Sequence, residues 1–254
     1  MKYVYFVVEG PHDAAAIGRI LKMHKIKQVR KMENLDEYWH RIIPNRFPHM
    51  GDLVTRVPVP SFYQSEEYSV AIYAAGGESK ICTAINLTLT NLDVSKLHSV
   101  AVFCDADKEN PQEKFDKMLE QFQDIHEECI LKQLSSIKLG EVSTGTPKVG
   151  VYVFPNNEDM GTLEKVLLEG AESSYPDLVK AASSYIENIS EEYTGKWKPA
   201  DNQKVLVGCI ANILKPGKAN QVSIQDNEWI YDESVKYGSQ FILNDFIKHT
   251  LDIQ

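Results

Sequence analysis

Four short apolar runs, each followed by polar or turn-forming residues, divide the first two-thirds of the chain. They lie at residues 3–8, 69–74, 98–104 and 149–154. Runs of this length that are rich in β-branched and aromatic residues are typical of strands buried on both faces. The pattern therefore predicts four core strands of one sheet.

Segments with a helical pattern follow these runs. The first begins after Gly10-Pro11, where a proline suits the first turn of a helix, and the second begins after Gly76-Gly77. The predicted helices cover residues 11–23, 79–90, 111–127 and 163–169. Strands that alternate with helices predict an α/β fold, with a mostly parallel sheet and helices on both faces.

Two regions depart from this alternation. Residues 27–68 are less regular, and we interpret them as an insertion around a strand near 26–30, with an edge strand at 52–57 before Pro58 and Pro60. The last third has helical patterns at 177–189 and 203–214. We therefore expect a catalytic domain at residues 1–170 and a mainly helical extension at 171–254 packed on it.

Composition narrows the class of protein. No apolar run approaches the ~20 residues that cross a bilayer, so we expect a cytoplasmic protein without a membrane partner. The four cysteines show no CxxC pair, which favours reduced thiols over a zinc site or a disulfide framework.

The net charge of −9 argues against a protein that holds nucleic acid by a general positive field. Residues 19–56 are locally basic, with nine Lys or Arg against four acidic residues. This region is either a solvated surface or a face that helps to hold a nucleic-acid backbone.

Acidic residues stand at the ends of two predicted core strands. Glu9 ends the first and Asp105 the third, while Asp13 lies about one helical turn after Glu9. Ligands bind beyond the carboxyl ends of parallel strands, so we expect these side chains to converge. Asp107 follows Asp105 by two positions, which would put both carboxylates on one side of an extended chain.

Carboxylates gathered in this way raise one another's pKa unless a cation neutralises them. Mg²⁺ is a hard ion that prefers oxygen ligands and keeps waters that a phosphate can displace. One or two such ions can activate water for attack on phosphorus. The constellation therefore predicts a Mg²⁺ (or Mn²⁺) site for phosphodiester chemistry.

At this point the sequence resembles the Toprim domains. Residues 7–13, Val-Val-Glu-Gly-Pro-His-Asp, resemble their E-G-x-x-D signature, and residues 102–107, Val-Phe-Cys-Asp-Ala-Asp, resemble their strand followed by D-x-D. The glycine-bearing turn at 73–80 is similar to the one after a central Toprim strand. The resemblance covers roughly residues 1–170 and extends to stand-alone Toprim-like proteins related to the overcoming-lysogenization-defect nucleases.

The resemblance implies roles for particular residues. It implies catalytic roles for Glu9, Asp13, Asp105 and Asp107, metal binding by Glu9, Asp105, Asp107, Glu109 and Glu164, and substrate binding by Gly10, Lys80 and Lys204. Glu109 stands where the third acid of a longer D-x-D-x-D pattern would be an aspartate, so the pattern differs there.

The function implied is a Mg²⁺-dependent nuclease that hydrolyses DNA or RNA. Stand-alone Toprim nucleases resemble effectors of phage defence that work with an ATPase, so an ATPase partner and a homo-oligomer are further expectations. Two alternatives stay open. One is a non-catalytic module that binds a nucleotide or a partner protein, and the other is a phosphohydrolase or phosphotransferase of small nucleotides.

Overall fold

The computed structural model describes residues 1–44, 53 and 59–253. Most of the predicted edge strand at 52–57 lies outside the described residues, as do Arg46 and Arg56 of the basic region.

Within the part of the chain that the structure describes, six strands form one sheet in the order β2-β3-β4-β1-β5-β6. β4, β1, β5 and β6 are parallel neighbours, whereas β3 is antiparallel to both β2 and β4. The bounds are β1 Lys2–Val8, β2 Lys27–Val29, β3 Ser61–Gln64, β4 Tyr68–Ala74, β5 Leu97–Asp105 and β6 Lys148–Phe154. The predicted α/β fold with a mostly parallel sheet is confirmed.

Ten α-helices of the described residues flank or extend this sheet. The predicted helix at 111–127 is wrong at its end, because α3 stops at Phe122 and a separate helix begins at Glu128. The bounds are α1 Pro11–Met23, α2 Ile81–Leu89, α3 Pro111–Phe122, α4 Glu128–Leu134, α5 Leu163–Ser174, α6 Pro176–Glu187, α7 Glu191–Thr194, α8 Asp201–Leu214, α9 Asn220–Asp226 and α10 Gly238–Leu251.

Each face of the sheet has its own buried cluster, because successive side chains of a strand point to opposite faces. Phe6 and Phe103 pack on the face that α1, α5 and α10 cover. Val7 and Val102 pack on the face that α2, α3 and α4 cover. The strands are therefore buried on both sides, as their apolar runs predicted.

The C-terminal helices share the first of these clusters. Residues of α6, α8, α9 and α10 lie in it beside α1 and the sheet. On α10, the ring of Phe246 lies 5.5 Å from that of Phe103 and 5.3 Å from that of Tyr152, measured between centroids. These helices are thus packed on the sheet, while the division at residue 170 stays a prediction.

The region predicted as an insertion supplies two strands. β2 matches the strand expected near residues 26–30, but β3 at Ser61–Gln64 was not predicted. Both strands extend the sheet beyond β4, so part of this region belongs to the sheet itself.

All four cysteines are unpaired. Within the described part of the chain, no helix has the length and apolar character needed to cross a membrane.

Candidate functional site

Four carboxylates meet beyond the carboxyl ends of β1 and β5. Glu9 follows β1, Asp105 ends β5, Asp13 lies in the first turn of α1, and Glu164 lies in the first turn of α5. The charges of Glu9 and Glu164 raise the pKa of Asp13, and the charges of Asp13, Glu9 and Glu164 raise the pKa of Asp105. The expected convergence of Glu9, Asp13 and Asp105 is therefore confirmed, and Glu164 joins them.

The glycine turn after β4 fixes the main chain at Glu9. The backbone N–H groups of Gly76 and Gly77 both donate to the Glu9 carbonyl oxygen, at 2.9 and 3.0 Å. Their φ angles are +82° and +126°, which side chains rarely tolerate. The Gly-Gly pair thus allows a turn that ties the ends of β4 and β1 together.

The Glu9 carboxylate is engaged on one side. Its Oε1 accepts the backbone N–H of Asp105 at 2.9 Å, so the ends of β1 and β5 are joined through it. Burial raises the pKa of Glu9, and the hydrogen bond from Asp105 and the charge of Lys114 only partly oppose this. Glu9 therefore keeps its second oxygen for another ligand.

Asp13 is buried beside the first turn of α1. Its Oδ2 accepts the backbone N–H of Gly10 at 2.7 Å. Burial raises its pKa to about 7, and the charges of Glu9 and Glu164 add to the rise. Since the Gly10 N–H is already donated to Asp13, Gly10 contributes to the loop conformation, and its predicted role in substrate binding stays a prediction.

Asp105 accepts a hydrogen bond from the start of α5. The backbone N–H of Leu163 donates to its Oδ1 at 2.9 Å, where the helix dipole favours a negative charge. Burial nevertheless raises the pKa of Asp105 well above the ordinary carboxyl value, and the charges of Asp13, Glu9 and Glu164 act in the same direction.

The pKa of Glu164 shifts in the opposite direction from those of Glu9, Asp13 and Asp105. Burial acts to raise its pKa, but interactions with His12 and Thr162 outweigh burial, and the pKa is lowered. The Thr162 hydroxyl donates to Oε2 at 2.6 Å, and His12 Nδ1 lies 3.9 Å from Oε1. Glu164 is thus the member of the group that most readily carries a negative charge.

Asp107 does not continue the strand, so the expectation of an extended chain from Asp105 to Asp107 is wrong. β5 ends at Asp105, and Asp107 has a left-handed φ of 53°. Its backbone N–H donates to the Gly161 carbonyl at 2.8 Å, which ties this loop to the exit of β6. The Asp107 side chain is exposed and lines the neighbouring cleft.

Glu109 is directed towards α3. Its Oε1 lies 2.9 Å from Lys117 Nζ, and its buried Oε2 has no hydrogen-bond partner among the described residues. The ion pair occupies one oxygen, and metal binding by Glu109 stays a prediction.

The carboxylates are not arranged around a metal position. Across residues 1–44, 53 and 59–253, no three His, Cys, Asp or Glu side chains are placed to bind one ion. The donor set nevertheless has the chemistry that a hard dication requires: oxygen ligands whose pKa values are raised by burial and, in addition, by the charges of neighbouring acids. The second oxygens of Glu9 and Asp105 are the groups that would turn towards an ion.

A cleft of about 970 Å³ opens beside the acidic group. One wall is the loop at Asp107 and the start of α3, and the other is the segment that leads into α8. Both walls carry lysines, namely Lys108, Lys114, Lys198 and Lys204. The charge of Lys204 helps to lower the pKa of Glu164, so this lysine lies near the acids, as expected.

Lys80 lies outside the lining of this cleft. It is exposed at the glycine turn, and the described residues that line the cleft do not include it. Its predicted contact with substrate stays a prediction.

An ion pair between Glu78 and Lys114 was not predicted. Lys114 Nζ lies 2.7 Å from Glu78 Oε2, and Lys114 is 4% exposed. A signal was present in the sequence, because Lys114 shares the spacing of the buried α3 residues Pro111, Phe115 and Met118.

Lys25 and Lys27 of the basic region do not face the site. In the unit β1-α1-β2 the chain reverses after β1, so the end of α1 lies at the amino edge of the parallel strands. Lys25 and Lys27 accordingly line a cleft with Tyr68 and Asp252, away from the acids. A role for these lysines in holding substrate at the acidic group is therefore disfavoured.

The solved structures to which the chain is similar include a hypothetical protein from Pyrococcus horikoshii OT3. It is 14% identical, with a TM-score of 0.46, over 100% of this chain and 96% of that chain. Another is the C-terminal region of the OLD protein of Xanthomonas campestris pv. campestris. It is 12% identical, with a TM-score of 0.44, over 98% of this chain and 96% of that chain. No curated protein matches the chain.

One family model matches nearly the whole sequence. The model described as "Protein of unknown function (DUF3226)" matches residues 4–248. The protein therefore belongs to the DUF3226 family.

Proposed function

We propose that the protein is a metal-dependent nuclease that hydrolyses phosphodiester bonds of DNA or RNA at a Toprim-type acidic site. The observation that carries this proposal is the meeting of Glu9, Asp13, Asp105 and Glu164 beside a cleft lined by lysines. The carboxylates come from separate parts of the chain, and the pKa values of Asp13 and Asp105 are strongly raised, which is characteristic of functional sites.

We assign two roles to the acidic residues, namely binding of the metal ion and transfer of a proton. Glu9 and Asp105 would hold Mg²⁺ or Mn²⁺ through their second oxygens, with Asp107 reaching in from the cleft. When bound, the ion would lower the pKa of a bound water and stabilise charge on the phosphate. Asp13 has a pKa of about 7, so it can accept or donate a proton near neutral pH.

The cleft supports binding of a phosphate backbone. Its lysines stand on both walls, whereas the whole chain has a net charge of −9. Because so few cations face the substrate, we propose that a partner protein with ATPase activity supplies additional affinity, and that the pair acts in phage defence in the cytoplasm. Homo-oligomer formation is a further proposal that would bring several clefts together.

Two observations favour other candidates. A cleft of about 970 Å³ also suits a single small ligand, which favours hydrolysis or transfer of phosphate on small nucleotides. The lack of three metal-binding side chains arranged together in the described residues favours a non-catalytic module that binds a nucleotide or a partner.

The test is to incubate the purified protein with plasmid DNA, structured RNA and free nucleotides, in Mg²⁺, Mn²⁺ or EDTA. Glu9→Gln and Asp105→Asn are assayed alongside the unmodified protein, because each keeps the size of its side chain. Thermal melts with and without metal are recorded for all three proteins.

Metal-dependent cleavage of a polymer that is lost in both variants is the expected result. Turnover of free nucleotides alone would favour the small-nucleotide enzyme. If no substrate is cleaved and metal leaves the melting temperature unchanged, the nuclease proposal fails.

A further inference from the structure

Lys114 is an unusual residue for the floor of a cleft. Among the described residues it is the only lysine or arginine that is buried, at 4% exposure. Lysine is rarely buried unless its charge is paired. The residue nevertheless lines the cleft beside the acidic group, so its ammonium is buried but adjacent to open space.

The pairing of Lys114 is incomplete. Glu78 is the only hydrogen-bond acceptor for its Nζ within the described part of the chain. An ammonium has three donors, so two remain beyond the one that Glu78 accepts. Because Lys114 lines the cleft, these two donors are available to an acceptor that enters it.

Glu78 holds the ammonium next to the acids. It follows the Gly76-Gly77 turn whose N–H groups bind the Glu9 carbonyl. The Glu78–Lys114 pair therefore joins this turn to the start of α3 across the cleft floor. An acceptor that enters the cleft would meet an ammonium that Glu78 fixes, close enough to Glu9 for the two charges to interact.

We propose that Lys114 is a phosphate-binding residue, whose two remaining donors bind a phosphoryl oxygen of the substrate while Glu78 fixes the ammonium in position. This inference rests on the proposed function for the identity of the substrate. Lys108 on the same wall and Lys198 on the opposite wall extend the positive surface for neighbouring phosphates.

A structural ion pair and a phosphate-binding lysine make opposite predictions. If the pair only stabilised the fold, removing either partner would change phosphate affinity in the same direction or leave it unchanged. If Lys114 binds phosphate, its loss weakens binding. Loss of the Glu78 charge in Glu78→Gln then has the opposite effect, because glutamine keeps an acceptor that positions the ammonium while the ammonium no longer shares its charge with a carboxylate.

The experiment uses the full chain and inorganic phosphate as the probe. Affinity is measured by isothermal titration calorimetry in EDTA at low ionic strength, for the unmodified protein, Lys114→Met, Lys114→Arg and Glu78→Gln. Lys132→Met is the control, since Lys132 is exposed on α4 and its loss changes the net charge equally. Thermal melts establish that each variant is folded at the assay temperature, and Lys114→Met/Glu78→Gln serves as the variant without either charge.

We expect Lys114→Met to weaken phosphate binding by about tenfold or more, because a hydrogen bond to a charged group is lost. Lys114→Arg is expected to retain most of the affinity. Glu78→Gln is expected to bind phosphate at least as tightly as the unmodified protein, and Lys132→Met is expected to be unchanged.

Unchanged affinity in Lys114→Met, an equal loss in Glu78→Gln, or no phosphate binding by the unmodified protein would overturn the inference. Because no turnover is measured, the outcome is separate from that of the nuclease assay. Phosphate binding through Lys114 without cleavage of any polymer would leave this inference standing while the proposed function fails.

Discussion

Charged side chains gather at both edges of the parallel strands, but they are balanced in different ways. At the amino edge, Lys2 lies 2.7 Å from Glu67, and Asp252 contacts both Lys148 and His98. These contacts lower the pKa values of Glu67 and Asp252. At the carboxyl edge the carboxylates face one another, and the pKa values of Glu9, Asp13 and Asp105 are raised.

Charges at the amino edge are paired with opposite charges, whereas the carboxylates at the carboxyl edge lie beside like charges and disfavour folding. An exposed ion pair contributes less than ~1 kcal/mol, and at the amino edge Asp252 lies beside a lysine of opposite charge. Neighbouring buried carboxylates disfavour the metal-free folded state at neutral pH, because each must be ionised near the others or keep its proton. Only the carboxyl edge has the imbalance that a bound cation would relieve.

The largest expected effect is on catalysis at the carboxyl edge. Glu9→Gln should lower metal-dependent cleavage by about 100-fold or more, because it removes a charge from the reacting centre while keeping the acceptor for the Asp105 N–H. Initial rates on a labelled oligonucleotide measure the effect. If the Glu9→Gln rate stays within roughly threefold of the rate of the unmodified protein, Glu9 has no role in the chemical step.

The second-largest expected effect is on the free energy of unfolding, measured in EDTA as a function of pH. The folded pKa of Asp13, about 7, lies above the ordinary value of 3.8, so the folded protein keeps a proton that the unfolded chain releases. This group's contribution to stability is therefore present below about pH 4 and is lost as the pH rises to about 7, with a slope near 1.4 kcal/mol per pH unit.

Asp13→Asn should remove that slope, since asparagine does not titrate in this range. Urea unfolding at several pH values between 4 and 8 measures it. Equal slopes for the two proteins would show that Asp13 does not hold its proton, and the contrast between the two edges would weaken.

A smaller effect concerns the glycine turn. Gly77→Ala should cost about 1–3 kcal/mol of stability, because φ of +126° is nearly restricted to glycine. Gly208→Ala is the matched control. Gly208 lies within α8, and a Cβ there would meet its nearest neighbour at 3.7 Å, so that variant should gain about 0.5–1 kcal/mol. Urea midpoints that move in the same direction for both variants would contradict the role of the turn.

The smallest effect is expected at the amino edge. Asp252→Asn should lower the free energy of unfolding by less than ~1 kcal/mol and leave cleavage unchanged, because the Asp252 side chain is itself exposed to solvent. The substitution is the same acid-to-amide change that disables the carboxyl edge. Comparable losses of activity at the two edges would show that the contrast between them has no functional meaning.

The core of the fold could be predicted because its strands are long apolar runs. The ends of β1, β4, β5 and β6 all lie within one residue of the predicted bounds. β3 was not predicted because it is short and because its pairing with β2 and β4 depends on residues outside the strand itself. Local pattern is informative where one segment is buried on both faces, and much less so at a sheet edge.

The site was predictable in part for a similar reason. The meeting of Glu9 and Asp105 follows from the rule for parallel strands, and it is confirmed by their hydrogen bond, while their catalytic roles stay predictions. The left-handed turn at Asp107 follows from contact with Gly161, which the local sequence does not reveal. The Glu78–Lys114 pair likewise joins residues 36 positions apart.

The central place of β1 has a consequence for how the chain is made. β1 pairs on one side with β4 and on the other with β5, so both of its neighbours are translated well after it. At about 5–20 residues per second, the apolar stretch at Val4–Val8 would wait several seconds before Asp105 has been synthesised. During synthesis this stretch is therefore the segment that most needs protection from aggregation.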